Sequence, residues 1–128
     1  METVGFIGLG NMGGGMAANI QKAGYPMVAY DLREETTRPF LENGARLANS
    51  PAEVAGLCDV TLTSLPGPKE VEEVAVGQEG LLEGIKPGGI FIELSTSRPT
   101  LIRQIEPRFR AKGAHVLDAP ISGGKSGA

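Results

Sequence analysis

Gly8, Gly10 and Gly13 stand in the spacing Gly-x-Gly-x-x-Gly, directly after the apolar run Val4-Gly5-Phe6-Ile7 and before a helix-like pattern. That order suits the pyrophosphate of a dinucleotide. Gly8 permits a sharp turn at the strand end, Gly10 removes a side chain where backbone must approach phosphate, and Gly13 lets the helix pack close to the strand. Leu9, Asn11 and Met12 complete the loop, and the N–H groups that open the helix would face the anion. In a chain with 19 glycines the same spacing can also be no more than a tight turn. Its position between strand and helix favours the phosphate reading. Asp31 adds a second piece at the end of the run Pro26-Met27-Val28-Ala29-Tyr30. A carboxylate there accepts hydrogen bonds from the adenosine ribose and repels a 2′-phosphate, which points to NAD. Arg33, with Leu32 between them, can pair with a 2′-phosphate and leaves NADP open. The plainer reading of Asp31 is a solvated turn residue.

Three further strand ends carry polar groups. Ser64-Leu65-Pro66 closes an apolar run, and in a doubly wound sheet that edge lies beside the first glycine turn, where its backbone could meet the nicotinamide ribose. Ser95 and Thr96 close another run, and their hydroxyls suit either the nicotinamide side or a cap for the next helix. In Asp118-Ala119-Pro120-Ile121-Ser122-Gly123-Gly124, Ser122 offers a hydroxyl while Gly123 and Gly124 offer open N–H groups, a cradle for a carboxylate or else a loose tail. Lys125 reads as a solvated lysine. His115, the single histidine, falls at a strand start away from these edges and reads as a packing or surface residue. Glu70, Glu72 and Glu73 read as a solvated helix start aided by the macrodipole. Cys58 reads as a small core residue before a reactive thiol.

The elements that position these groups alternate strand and helix, which predicts an α/β domain with a mostly parallel sheet and helices on both faces. Strands are expected over 3–8, 26–30, 45–47, 58–65, 89–94 and 115–117. Helices are expected over 12–23, 34–43, from Pro51, over 69–76, and from Ser97 to about 112. Gly14 and Gly15 inside the first helix cost about 1 kcal/mol each relative to alanine, so packing or a ligand must offset them. Ser50-Pro51-Ala52-Glu53 has the form of a helix start, with a capping serine, proline at the first position and glutamate at the third. Pro107 falls inside the last helix and predicts a kink there.

The 128 residues suffice for one domain with a core, and 41% hydrophobic with 21% charged residues fits a soluble globule. A net charge of −3 with no basic run argues against nucleic acid as a partner. No apolar span is long enough for a membrane helix. A single cysteine forms no internal disulfide, and with no secretory leader in view the expected location is cytoplasmic. A glycine-rich loop straight after a buried strand is a poor place for a domain to stop, so the chain reads as cut before a segment that would cover that loop.

Gly5-Phe6-Ile7-Gly8-Leu9-Gly10-Asn11-Met12-Gly13, followed by Met16-Ala17-x-Asn19, together with Asp118-Ala119-Pro120-Ile121-Ser122-Gly123-Gly124, resembles the β-hydroxyacid dehydrogenase family. That family includes 3-hydroxyisobutyrate dehydrogenase and tartronate semialdehyde reductase and, more distantly, 6-phosphogluconate dehydrogenase. The resemblance runs from Thr3 to Ala128 and implies a Rossmann domain over residues 1–128. It also implies NAD(P)-dependent oxidation of a short β-hydroxy acid to its semialdehyde, or the reverse. Residues 8–13 would cradle the pyrophosphate, Asp31 would hold the ribose, and Leu65, Pro66 and Thr96 would line the nicotinamide end. Glu70 stands where relatives often place a polar residue such as asparagine on the cofactor. Ser122, Gly123 and Gly124 would hold the substrate carboxylate. The family's catalytic lysine follows this domain, on a helix that leads to an all-helical dimerising domain. No residue here matches it, Lys125 lying inside the substrate loop. The resemblance therefore implies the cofactor half of a homo-oligomeric enzyme, inactive alone. A non-catalytic dinucleotide module and a phosphogluconate or imine-reductase type relative are the alternatives.

Overall fold

Short apolar runs alternate with helices, most of which open on proline or glycine signals, and the chain winds accordingly. The computed structural model describes residues 2–95 and 98–119. The strands are β1 (Val4–Ile7), β2 (Met27–Tyr30), β3 (Arg46–Leu47), β4 (Val60–Thr63), β5 (Ile90–Glu93) and β6 (His115–Asp118). The helices are α1 (Asn11–Lys22), α2 (Glu34–Glu42), α3 (Pro51–Leu57), α4 (Pro68–Val76), α5 (Leu81–Gly84) and α6 (Pro99–Arg110). The six strands form one sheet in the order β3-β2-β1-β4-β5-β6, and every pairing is parallel. The order reverses between β1 and β4, which opens a crevice at their carboxyl ends.

Side chains alternate across the sheet and divide the interior into two cores. Ile7, Val28 and Phe91 face a core shared with Val54, Val71, Leu81, Ile102 and Phe109, from α3, α4, α5 and α6. Phe6 and Ala29 face the other, with Ala17 from α1 and Phe40 from α2. Phe91 and Phe109 meet with ring centroids 5.6 Å apart. The second face is less fully covered toward β6, where Leu117 is 53% exposed. Helices thus lie on both faces, and the architecture is the Rossmann arrangement. Among the described residues no helix is long and apolar enough to cross a membrane, and no group of His, Cys, Asp and Glu is placed to hold a metal ion.

Local signals explain the element ends. Ser50 Oγ accepts from Glu53 N at 3.1 Å, and the Glu53 carboxylate reaches back to Asn49 N at 2.7 Å, one residue earlier than a reciprocal capping box requires. Pro68 and Pro99 begin α4 and α6, where a missing N–H costs nothing. The strand expected over 58–65 is shorter in fact. Cys58 is the extended residue that ends α3, and Leu65 has already left the ladder for a side-chain partner on the next strand end. α6 runs through Pro107 and stops at Arg110, with Gly113 at positive φ in the turn that follows. α2 likewise contains Pro39.

Candidate functional site

The first strand ends in a turn that only glycine fills. Gly8 has φ +92, and a Cβ there would stand 3.2 Å from Leu65 Cδ2 and closer still to the Ser64 carbonyl oxygen. A Cβ on Gly13 would lie 3.0 Å from Ser64 Cβ and nearer again to the Gly8 carbonyl. These two glycines are therefore required by the chain itself, which packs α1, the β1 turn and the end of β4 in mutual contact. Gly10 differs: the nearest atom to a Cβ there is Arg33 Nη2 at 3.7 Å. The protein leaves that space open.

Gly10 is also the N-cap of α1, which has no side-chain cap and no acidic residue in its first turn. The N–H groups that open this helix, beginning at Asn11, thus lack the partner a capping side chain supplies. They adjoin a cavity of about 660 Å³ at the carboxyl ends of β1, β2 and β4. Gly8, Gly10, Met12 and Gly13 form its floor; Asp31, Leu32 and Arg33 line it at the end of β2; Ser64, Leu65 and Pro66 line it at the end of β4. Ten expected residues are thereby brought to one place. Leu9 is not among the lining residues. Its side chain packs in the second core, while its N–H donates to Asp31 Oδ2 at 2.7 Å.

That bond gives Asp31 a role the sequence does not disclose. Its other oxygen, Oδ1, accepts from Arg33 N at 2.9 Å. The carboxylate therefore ties the β2 end to the glycine turn, and each oxygen keeps lone-pair capacity for a further donor such as a ribose hydroxyl. Uncapped helical N–H groups, a floor free of Cβ atoms at Gly10 and a fixed carboxylate at the β2 end fit a dinucleotide. Among the described residues Arg33 is the one cation on the wall, facing the open space above Gly10.

Sequence reasoning missed part of the wall. Ile7, Tyr30, Pro51 and Val74 add a largely apolar side, Gln78 adds an amide, and Glu70 and Glu73 of α4 add two more carboxylates. Pro51 and Val74 come from helix faces whose meeting no local pattern reports. Glu70, a carboxylate where relatives often place asparagine, is among the residues that line the wall. Ser95 is reassigned: its hydroxyl accepts from Leu65 N at 2.5 Å, and α6 is capped instead by Arg98, without a side-chain bond. Ser95 is thus a brace between strand ends rather than a helix cap. His115 is exposed at the start of β6, on the edge away from the cavity. Cys58 is buried and its thiol is pushed up to about 12, chiefly by burial, then by the Asp59 charge, with Lys86 acting the other way. It is a core residue and not a nucleophile. Thr96, Ser122, Gly123, Gly124 and Lys125 lie outside the described residues.

Residues 3–128 match the family model described as the NAD binding domain of 6-phosphogluconate dehydrogenase. The chain is 40% identical over 127 residues to a probable mitochondrial 3-hydroxyisobutyrate dehydrogenase of Dictyostelium discoideum, covering 99% of this chain and 40% of that protein. It superposes with a TM-score of 0.87 and 33% identity on Mycobacterium tuberculosis 3-hydroxyisobutyrate dehydrogenase solved with L-serine, over 100% of this chain and 43% of that one. It superposes equally, at 28% identity and over 98% and 44% of the two chains, on Psf3 solved with NADP+ and 2-OPP. The chain thus spans about two fifths of the length of the relatives it matches.

Proposed function

Because the chain belongs to the β-hydroxyacid dehydrogenase family, as its N-terminal NAD-binding domain, we propose that the cavity at the ends of β1, β2 and β4 binds NAD. We further propose that the whole protein oxidises a short β-hydroxy acid to its semialdehyde or catalyses the reverse reduction. The observation that carries the reading is the uncapped start of α1 over Gly10, with Asp31 tied to the glycine turn beside it.

Residues 8–13 hold the pyrophosphate by backbone N–H groups, and Asp31 receives the adenosine ribose hydroxyls. Tyr30, Leu32, Pro51 and Val74 exclude water along an apolar side of the cavity. Leu65 and Pro66 form the wall at the nicotinamide end, with Thr96 beyond them. Bound NAD supplies the hydride acceptor. Ser122, Gly123 and Gly124 present N–H and hydroxyl donors to the substrate carboxylate. Hydride departure needs the hydroxyl proton removed, and on this reading the chain contributes the cofactor half while the acid/base residue lies outside these 128 residues. Among the described residues, three carboxylates and a single guanidinium on the wall support NAD over NADP, since a 2′-phosphate would add charge beside Asp31.

Calorimetric titration of this chain with NAD+, NADH and NADP+ tests the reading. Binding of NAD(H), weaker binding of NADP+ and negligible turnover of β-hydroxy acids are expected. Absence of affinity for all three would remove it.

A further inference from the structure

Glu93 is the only charged side chain buried among the described residues, with 0% exposure. It occupies the last row of the sheet, between Thr63 of β4 and Asp118 of β6. Its Oε1 accepts from Thr63 Oγ1 at 3.1 Å and from Ser95 N at 2.9 Å. Ser95 Oγ in turn accepts from Leu65 N at 2.5 Å. Oε2 has no hydrogen-bond partner among the described residues.

Packing does not account for this carboxylate. Methionine or leucine would fill the volume without burying a charge or leaving an oxygen unpaired. What a carboxylate does there, and a hydrocarbon cannot, is bind the end of β4 at Thr63 to the turn after β5 at Ser95, whose hydroxyl in turn holds the turn after β4. The turn after β4 is Ser64-Leu65-Pro66, a wall of the cavity.

We propose that Glu93 is a positioning residue, which through Ser95 fixes Leu65 and Pro66 against the nicotinamide end of the cofactor. The inference rests on the cofactor reading above. The side chain reaches no ligand itself. Its effect is to hold the Ser95 N–H and hydroxyl so that the Leu65 N–H is satisfied in one arrangement of the turn.

The test compares NADH with ADP-ribose, which has the same adenosine and pyrophosphate but no nicotinamide, on the wild type, Glu93→Met, Glu93→Gln and Ser95→Ala. Glu93→Met keeps the size and removes the acceptor. It should weaken NADH about tenfold and leave ADP-ribose unchanged, even where its melting midpoint equals or exceeds that of the wild type. Glu93→Gln retains an acceptor oxygen for Thr63 and Ser95 and should restore NADH binding. If Glu93→Met does not fold, Ser95→Ala cuts the same chain of bonds at its last link and should show the same selective loss. Equal weakening of both ligands, a glutamine variant as weak as the methionine one, or unchanged NADH binding in the methionine and alanine variants would each overturn the inference. A wild type that binds neither ligand removes the cofactor reading and this inference with it. A wild type that binds both, with variants to match, removes this inference alone.

Discussion

Gly10→Ala separates what the fold needs from what the ligand needs. Gly10 has φ −71 and ψ −165, an extended conformation that alanine also adopts, and a methyl there comes no closer than 3.7 Å to any other group. Alanine is a poorer N-cap than glycine by roughly 0.5–1 kcal/mol. Lower freedom in the unfolded chain returns about 0.4–1 kcal/mol. The two nearly cancel, and the melting midpoint should move by less than about 3 °C. The methyl nevertheless occupies the approach of a phosphate to the N–H groups that open α1. Weakening a hydrogen bond to that charged group costs about 1.5–3 kcal/mol, or roughly 10- to 100-fold in affinity. Gly13→Ala is the contrast, because its Cβ would stand 3.0 Å from Ser64 Cβ and closer to the Gly8 carbonyl. Overpacking of that kind costs about 1–3 kcal/mol, enough to lower the midpoint by roughly 4–12 °C. Calorimetric titration with NADH, beside a thermal melt of each variant, reads both effects. A folded Gly10→Ala chain that binds NADH as tightly as the wild type would refute the reasoning. A Gly10→Ala melt as low as that of Gly13→Ala would do the same.

Gly15 is exposed with open space around its Cα, so Gly15→Ala should raise stability by roughly 0.5–1 kcal/mol in urea unfolding and leave NADH binding alone; a destabilised variant contradicts this. Ser50→Ala removes the acceptor for Glu53 N and should cost about 1 kcal/mol by the same assay, with no change in midpoint as the contrary result. The Cys58 thiol, raised from 9.0 to about 12 by burial, keeps its proton in the folded chain where the unfolded chain loses it. Between these values the unfolded state binds fewer protons, so stability falls as pH rises, by roughly 1 kcal/mol near pH 10. Urea unfolding of wild type and Cys58→Ala at neutral and alkaline pH should show a flatter alkaline decline for the variant; equal declines would contradict it.

The backbone chemistry of the site was legible because it is local. A strand, a glycine spacing and a helix start follow one another in residues 4–13, and Asp31 lies one βα unit further on. The parallel sheet with helices on both faces followed from the alternation of apolar runs with helices. What escaped notice depends on contacts between distant segments. Pro51 and Val74 reach the cavity from helices whose mutual placement no periodicity encodes. Glu93 sits in an apolar strand pattern, Ile90-Phe91-Ile92, and only the register with Thr63 shows that it points into the interior. The Ser95 hydroxyl looked equally suited to ligand or helix cap until the Leu65 N–H emerged as its donor. Asp31 reads from the sequence as a ribose ligand or a solvated turn residue, and neither reading shows that it restrains the glycine turn through Leu9 N. The strand end at Thr63 rather than Leu65 has the same origin: Leu65 N–H bonds the hydroxyl of Ser95, in the turn after β5, and not the ladder.

The most direct test of the dinucleotide site is a titration of the isotopically labelled chain with NADH, followed by backbone amide resonances. The account predicts the largest changes at residues 8–13, at Asp31 and Arg33, and at Ser64 and Leu65. Changes centred instead on the groove between α4 and α6, around Lys69 and Arg98, or no changes at all, would contradict it.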